Sequence, residues 1–242
     1  MEYFKEYKSV EFKFEDTDAY IVFPNGERNG RWSLKTEYPE AFPDTERELL
    51  TRGYCVAFLE TENRWGRDMD LARKSRFVKF LSKEYGLESK CVPIGMSCGG
   101  LIAIKFAAKY PDCVACIYID APVVNYMSCP CGFGVGEALD GGKGIAEILS
   151  ALNLDSLSDL LCYTDMPKDN LPLLIKNRIP AVMVAGDSDR IVPYCENGLA
   201  VQRAYEKTDI PFEVYIKPGC DHHPHGLDDV TPIADFIDRN YK

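Results

Sequence analysis

The chain has 242 residues, 46% hydrophobic and 27% charged, an ordinary globular composition that excludes a disordered tail, a coiled coil, a collagen-like fibre and a small stapled scaffold. With 28 Lys and Arg against 38 Asp and Glu, the formal charge is −10. An acidic surface repels phosphate backbones, so neither nucleic acid nor an anionic membrane is an expected partner.

The length favours one large domain, or one domain with an insertion. Met1 to Glu15 alternates charged and aromatic residues and holds no apolar core of signal-peptide length. No stretch approaches the ~20 apolar residues of a membrane helix, so the expectation is a soluble, cytoplasmic chain. Cys55, Cys91, Cys113, Cys116 and Cys220 sit inside apolar runs, where a reduced thiol packs as a small hydrophobe. Without an export signal the ten cysteines read as free thiols. Cys113 and Cys116 have C-x-x-C spacing but flank a strand-like run, whereas a redox pair should open a helix. Cys129 and Cys131 form C-P-C in a loop, with no further zinc ligand near in sequence.

The hydrophobic period switches repeatedly between two and 3.6. Val10 to Phe14 alternates as a strand, and Tyr20 to Phe23 is a short apolar run ended by the turn signal Pro24-Asn25-Gly26. Pro39 to Thr51 can form a helix closed by Gly53. Cys55 to Leu59 reads as a strand buried on both faces. Leu71 to Tyr85 is a helix stopped by Gly86, Cys91 to Ile94 a strand, Leu101 to Tyr110 a small-residue helix stopped by Pro111, and Val114 to Ile119 another buried strand. From Pro122 to Arg178 the rhythm breaks into glycine-rich and short helical patterns. It resumes with a strand at Ala181 to Ala185, a helix at Asn197 to Lys207, a strand at Phe212 to Ile216 and a helix at Pro232 to Tyr241. This alternation predicts an α/β fold, a mostly parallel sheet with helices on both faces. Residues 1–242 form one domain, and 122–178 an insertion or cap within it after the sixth strand.

Gly95-Met96-Ser97-Cys98-Gly99 fits G-x-S-x-G between a strand-like run and a helix, the context a sharp nucleophile turn requires. A serine hydroxyl is a weak nucleophile and needs a base. The three histidines all lie in Asp221-His222-His223-Pro224-His225, after a strand and before the last helix. His222 comes first after the Pro218-Gly219 turn and is the expected base, with His223 and His225 shaping the loop or lining the pocket. A metal site in this cluster would need carboxylates nearby. Two aspartates follow the strand ending at Gly186. Asp189 lies farther into the loop and is the expected orienting acid, while Asp187 could brace the turn. Ser97, Asp189 and His222 thus leave the carboxyl ends of three strands, where open α/β sheets place their sites.

These residues resemble the α/β-hydrolase superfamily, through G-M-S-C-G-G at 95–100, A-x-K-Y-P at 107–111, G-D-S-D-R-I-V-P at 186–193 and G-C-D-H-H at 219–223. The P-G-x-x-H-H-P-H ending and the segment Arg31 to Tyr38 are similar to a bacterial subgroup linked to carbohydrate. The resemblance implies an eight-stranded, mostly parallel sheet of the α/β-hydrolase fold and serine hydrolase chemistry; no cofactor is implied, and no metal is expected. It implies a carbohydrate-linked acyl ester only through the subgroup. The oxyanion hole is expected from the N–H of Cys98, directly after the nucleophile, and from Trp32 in the loop after the Tyr20–Phe23 strand. Two departures stand out. Pro93 removes a ladder donor from a central strand, which a local bulge could accommodate. Cys98 follows the nucleophile where a larger residue is usual; it is also the runner-up nucleophile, though not at the tip of the turn.

Arg64 and Trp65 follow the Cys55–Leu59 strand, so with His223 they are candidate substrate contacts; a solvated loop is the plain alternative. Tyr126, Phe133 and Tyr163 of the insertion line the pocket or form the insertion's own small core. Gly132, Gly134 and Gly136 lack the preceding strand of a dinucleotide fingerprint, and Gly141-Gly142-Lys143-Gly144 lacks the remainder of a phosphate loop. The reading is a serine hydrolase acting on a small-molecule ester through an acyl-enzyme. A peptidase or thioesterase on the same residues, a ligand-binding module on a hydrolase scaffold, and a redox or metal protein are its rivals. The oligomeric state stays open.

Overall fold

The computed structural model describes residues 2–242. In chain order its strands and α-helices are β1 (Ser9–Phe14), β2 (Thr17–Val22), β3 (Trp32–Lys35), α1 (Asp44–Thr51), β4 (Cys55–Leu59), α2 (Asp68–Tyr85), β5 (Val92–Met96), α3 (Cys98–Lys109), β6 (Ile117–Asp120), α4 (Lys143–Leu152), α5 (Leu157–Leu161), α6 (Pro167–Lys176), β7 (Ala181–Gly186), α7 (Gly198–Tyr205), β8 (Phe212–Lys217) and α8 (Thr231–Asn240). One eight-stranded sheet runs β1-β2-β4-β3-β5-β6-β7-β8. The β1–β2 and β2–β4 pairs are antiparallel and the rest parallel.

The near-continuous apolar runs of β4, β5, β6 and β7 are buried along their whole length, as strands covered on both faces must be. On one face Leu49 of α1 and Ile233, Phe236 and Ile237 of α8 pack on Val92, Ile94, Tyr118 and Val182. On the other, side chains of α2, α3, α6 and α7 join Leu34, Ala57 and Ile119 in the main core. Each fully buried Leu, Ile or Phe contributes about 1.5–3 kcal/mol. α2 stops where expected, at Gly86 in the left-handed region.

Two features correct the sequence reading. Residues 32–35 form β3, a central strand between β4 and β5, not a loop. Its polar residues are buried: Ser33 is fully enclosed, and Lys35 pairs with Glu46 2.7 Å away. Pro93 lies inside β5, and the expected bulge forms on β6. The register slips by one residue between the Cys91–Val114 bridge and the Ile94–Tyr118 pair, so no ladder donor is needed there.

Residues 121–180 lie between β6 and β7 and carry α4, α5 and α6. Tyr126, Ile148, Leu160 and Leu174 of this stretch belong to the same apolar cluster as Leu101 and Ile119, so it has no separate core. All ten cysteines are free. Among the described residues no helix is long and apolar enough to cross a membrane.

Candidate active site

β5 delivers Ser97 at the sheet's carboxyl edge. Its backbone, at φ 54° and ψ −119°, is a conformation that costs a non-glycine residue of order 1–3 kcal/mol and is held by its surroundings. The glycines beside it are steric necessities. A Cβ on Gly95 would lie 2.1 Å from the Gly99 carbonyl oxygen, and one on Gly100 2.6 Å from Pro122 Cβ. The Thr36 hydroxyl, just past β3, fills this corner within 3.1 Å of the Ile94 oxygen and 2.7 Å of the Gly99 oxygen. α3 begins at Cys98, so that residue's N–H is one of the helix's unpaired first-turn donors.

The loop after β7 brings Asp189, and the loop after β8 brings His222. His222 Nε2 lies 3.1 Å from Ser97 Oγ, and its Nδ1 2.7 Å from Asp189 Oδ2. The other Asp189 oxygen accepts from the N–H groups of Ile191 at 2.9 Å and Val192 at 2.7 Å. Burial alone would raise the Asp189 carboxyl. The His222 hydrogen bond and charge, with those two N–H groups, outweigh it and hold the pKa low. Asp187 braces the turn, accepting from Gly219 N–H at 2.7 Å. Asp221 accepts from the N–H groups of Arg190 and His222 and from the Arg190 guanidinium, which hold its pKa near 2. These ties clamp the β7 and β8 loops together and fix the His222 backbone.

Ser97 and His222 lie in a cavity of about 330 Å³ lined by Tyr38, Ala41, Phe42, Arg64, Met96, Leu139, Asp140, His223 and His225. His223 stacks on Phe42, their ring centroids 5.6 Å apart. Burial, then the neighbouring His225 and His222, lower its pKa. Arg64 lines the cavity, but its guanidinium is engaged by Glu147 of α4 at 2.9 and 2.7 Å and by Asp140 at 3.2 Å. It ties α4 and the turn before it to the loop after β4.

Two expected site residues lie elsewhere. Trp32 opens β3, so it sits at the amino end of a parallel strand while Ser97 leaves the carboxyl end of its neighbour. Its N–H faces the Tyr241 hydroxyl at 3.4 Å and its indole N–H donates to the Glu88 carbonyl, so it cannot serve an oxyanion. Trp65 is fully enclosed. Its indole N–H donates to Glu147 at 3.0 Å, and its ring meets Tyr126 edge-on, so it offers no face to a substrate. Tyr126 stacks with Tyr163 in the main core, whereas Phe133 is exposed.

Two residues that the sequence reading passed over belong to the site. Tyr38 lines the cavity beyond β3, its hydroxyl engaged with Arg64 and Cys98; burial pushes its pKa well up. Asp120 ends β6 and pairs with His225 Nδ1 at 2.8 Å. A carboxylate ending a buried strand at the carboxyl edge was the signal for Asp120. Tyr38 has no such signal until β3 is seen to be a strand.

Residues 75–242 match the model of the prolyl oligopeptidase family. No curated protein matches the chain. Among solved structures it is similar to the acylaminoacyl peptidase of Pyrococcus horikoshii, with a TM-score of 0.70 and 12% identity over 97% of this chain and 41% of that one. It is also similar to a puromycin hydrolase, with a TM-score of 0.68 and 16% identity over 96% and 37%. A third is Est1E from Butyrivibrio proteoclasticus, with a TM-score of 0.66 and 15% identity over 96% and 98%. The chain therefore spans about two fifths of the first two relatives and nearly all of the third.

Proposed function

The chain belongs to the prolyl oligopeptidase family of serine hydrolases, and from that premise we propose that it cleaves esters of small acyl groups through an acyl-enzyme on Ser97. The observation that carries this reading is the unbroken chain from Asp189 through His222 to Ser97, with links of 2.7 and 3.1 Å, opening into an apolar cavity. Ser97 Oγ attacks the acyl carbon as His222 Nε2 takes its proton. Asp189 fixes the imidazole and stabilises the imidazolium. The tetrahedral oxygen is held by the Cys98 N–H and by the Tyr38 hydroxyl, which turns from Cys98 to donate to it, each such donor being worth about 3–4 kcal/mol. His222 then returns the proton to the leaving alcohol. Water, activated by the same ring, releases the acid.

Three features favour a small acyl group. The cavity is at the low end of the roughly 300–1,000 Å³ usual for ligand sites. Leu139 and Asp140 of the insertion border it, and Phe42 with the stacked His223 forms an aromatic wall. With Trp65 buried, a carbohydrate-linked acetyl ester loses its stacking surface and stays in the reading only as one member of the ester class. Peptide cleavage is the second reading, favoured by the family match. Ten free thiols support a reducing, cytoplasmic setting.

The deciding experiment compares aryl acetates and butyrates, acetylated xylosides and aminoacyl anilides on the same preparation. The ester reading expects kcat/KM to be highest for the short aryl esters. Turnover of the anilides with no ester hydrolysis would replace it with the peptidase reading.

A further inference from the structure

Three imidazoles converge at this site, and the proposed reaction uses one. His222, His223 and His225 each present a ring nitrogen within 4.8 Å of the other two. Their ring centroids are 4.8, 4.9 and 4.9 Å apart, each pair meeting edge-on. His222 gives Nδ1 to Asp189 and His225 gives Nδ1 to Asp120, which leaves the Nε2 lone pair of His225 available and that of His222 facing only the Ser97 hydroxyl at 3.1 Å. A metal-ligating histidine typically hands its other N–H to a carboxylate, which fixes its tautomer and raises its basicity. That arrangement occurs here twice, side by side. Asp120 is further held by the Gly226 N–H at 2.6 Å and the Tyr118 hydroxyl at 3.2 Å, so the second pair is as firmly built as the first. His223 is exposed, and its ring nitrogens have no hydrogen-bond partner among the described residues.

We propose that His222, His223 and His225 form a binding site for a divalent transition-metal ion such as Zn²⁺, and that the bound ion switches the hydrolase off. Three neutral imidazoles suit a borderline cation, and water completes a tetrahedron. At the usual Zn–N distance of about 2.0–2.1 Å, ligand nitrogens stand roughly 3.4 Å apart. The rings must therefore draw together, and the exposed His223 can move. Coordination takes the Nε2 lone pair of His222 that otherwise accepts the Ser97 proton. Ser97 keeps its proton, and nothing is oxidised or reduced. The binding site stands on the ring geometry alone; the inhibition rests on the serine-hydrolase reading.

The test is equilibrium dialysis of the full chain against Zn²⁺ alone, with the exposed thiols of Cys162 and Cys195 blocked. One held equivalent is expected, its affinity reduced at least tenfold by His223→Gln and by His225→Gln. Crystals of the unsubstituted protein grown with Zn²⁺ provide a second measurement that needs no variant. An anomalous peak among the three rings is expected, and its absence overturns the site. Equal zinc retention by the His223→Gln/His225→Gln double variant overturns it as well. Aryl-ester hydrolysis should fall in step with occupancy and return on chelation. Full activity with zinc seated on the rings overturns the inhibition. If no ester is turned over at all, dialysis and diffraction still decide the site, so the two readings fail separately.

Discussion

Lys35 Nζ lies 2.7 Å from Glu46 Oε1 where both side chains are almost wholly shut off from water. The same ammonium donates to the Ala41 carbonyl at 2.8 Å, so it also pins the segment carrying Ala41 and Phe42 along the cavity. Breaking one partner of a buried pair strands the other, at a cost of about 3–5 kcal/mol. Lys35→Met is therefore expected to lose stability on that order in denaturant unfolding. Lys35→Met/Glu46→Leu should recover most of the loss, because no charge is left behind. An equal loss in the double variant would show that packing, not the stranded carboxylate, sets the cost.

Tyr38 lines the cavity and takes, in the proposed reaction, the oxyanion role expected of Trp32. If its hydroxyl holds the tetrahedral oxygen, Tyr38→Phe should lower kcat for an aryl ester by about 10²–10³-fold with little change in KM. A rise in KM at constant kcat would instead make Tyr38 a ground-state substrate contact.

Cys98 follows Ser97 but is fully buried, and burial pushes its thiol up to about 11 against the partial opposition of Arg64. The thiolate is the reactive form. Iodoacetamide at pH 7.5 should modify the exposed Cys162 and Cys195 and leave both Cys98 and ester hydrolysis untouched, as read by peptide mass spectrometry. Inactivation that tracks modification of Cys98 would revive it as nucleophile.

Lys74 is enclosed in α2, its ammonium donating to the Leu59 carbonyl at 2.6 Å and standing 5.7 Å from the Phe58 ring centroid. Burial lowers its pKa to about 8, while Glu37 and Asp70 pull the other way. The unfolded chain takes up this proton near 10.5 and the folded chain only near 8. The group's contribution is thus most favourable above 10.5 and is lost as pH falls through that window. Comparing unfolding free energies at pH 7 and pH 10.5, the difference between wild type and Lys74→Met should change by about 3 kcal/mol, with the variant gaining at pH 7. A pH-independent difference would mean that Lys74 stays charged in the fold.

Most of the sheet was readable in the sequence because β4, β5, β6 and β7 are buried on both faces and therefore apolar without interruption. β3 was not, because Lys35 carries a charge that only its long-range partner Glu46 makes tolerable inside a protein, and Ser33 adds a second polar residue, buried with its hydroxyl unpaired. That one omission also moved the oxyanion assignment, since the loop entering the site begins after Lys35 rather than near Trp32. The serine turn and the paired aspartate and histidine were legible because each follows a recognisable strand. Trp65 misled for the opposite reason to Lys35. Its position after β4 suggested the rim, yet Glu147 of α4 accepts from its indole N–H and the ring is buried. Nothing in the local sequence announces that contact.

The most direct test is to map the adduct left by a serine-directed fluorophosphonate on the native chain. The account expects a single adduct on the peptide bearing Ser97, none in Ser97→Ala, and labelling at least 10³-fold slower in His222→Gln. An adduct on any other residue would contradict it, as would ester hydrolysis that survives Ser97→Ala undiminished.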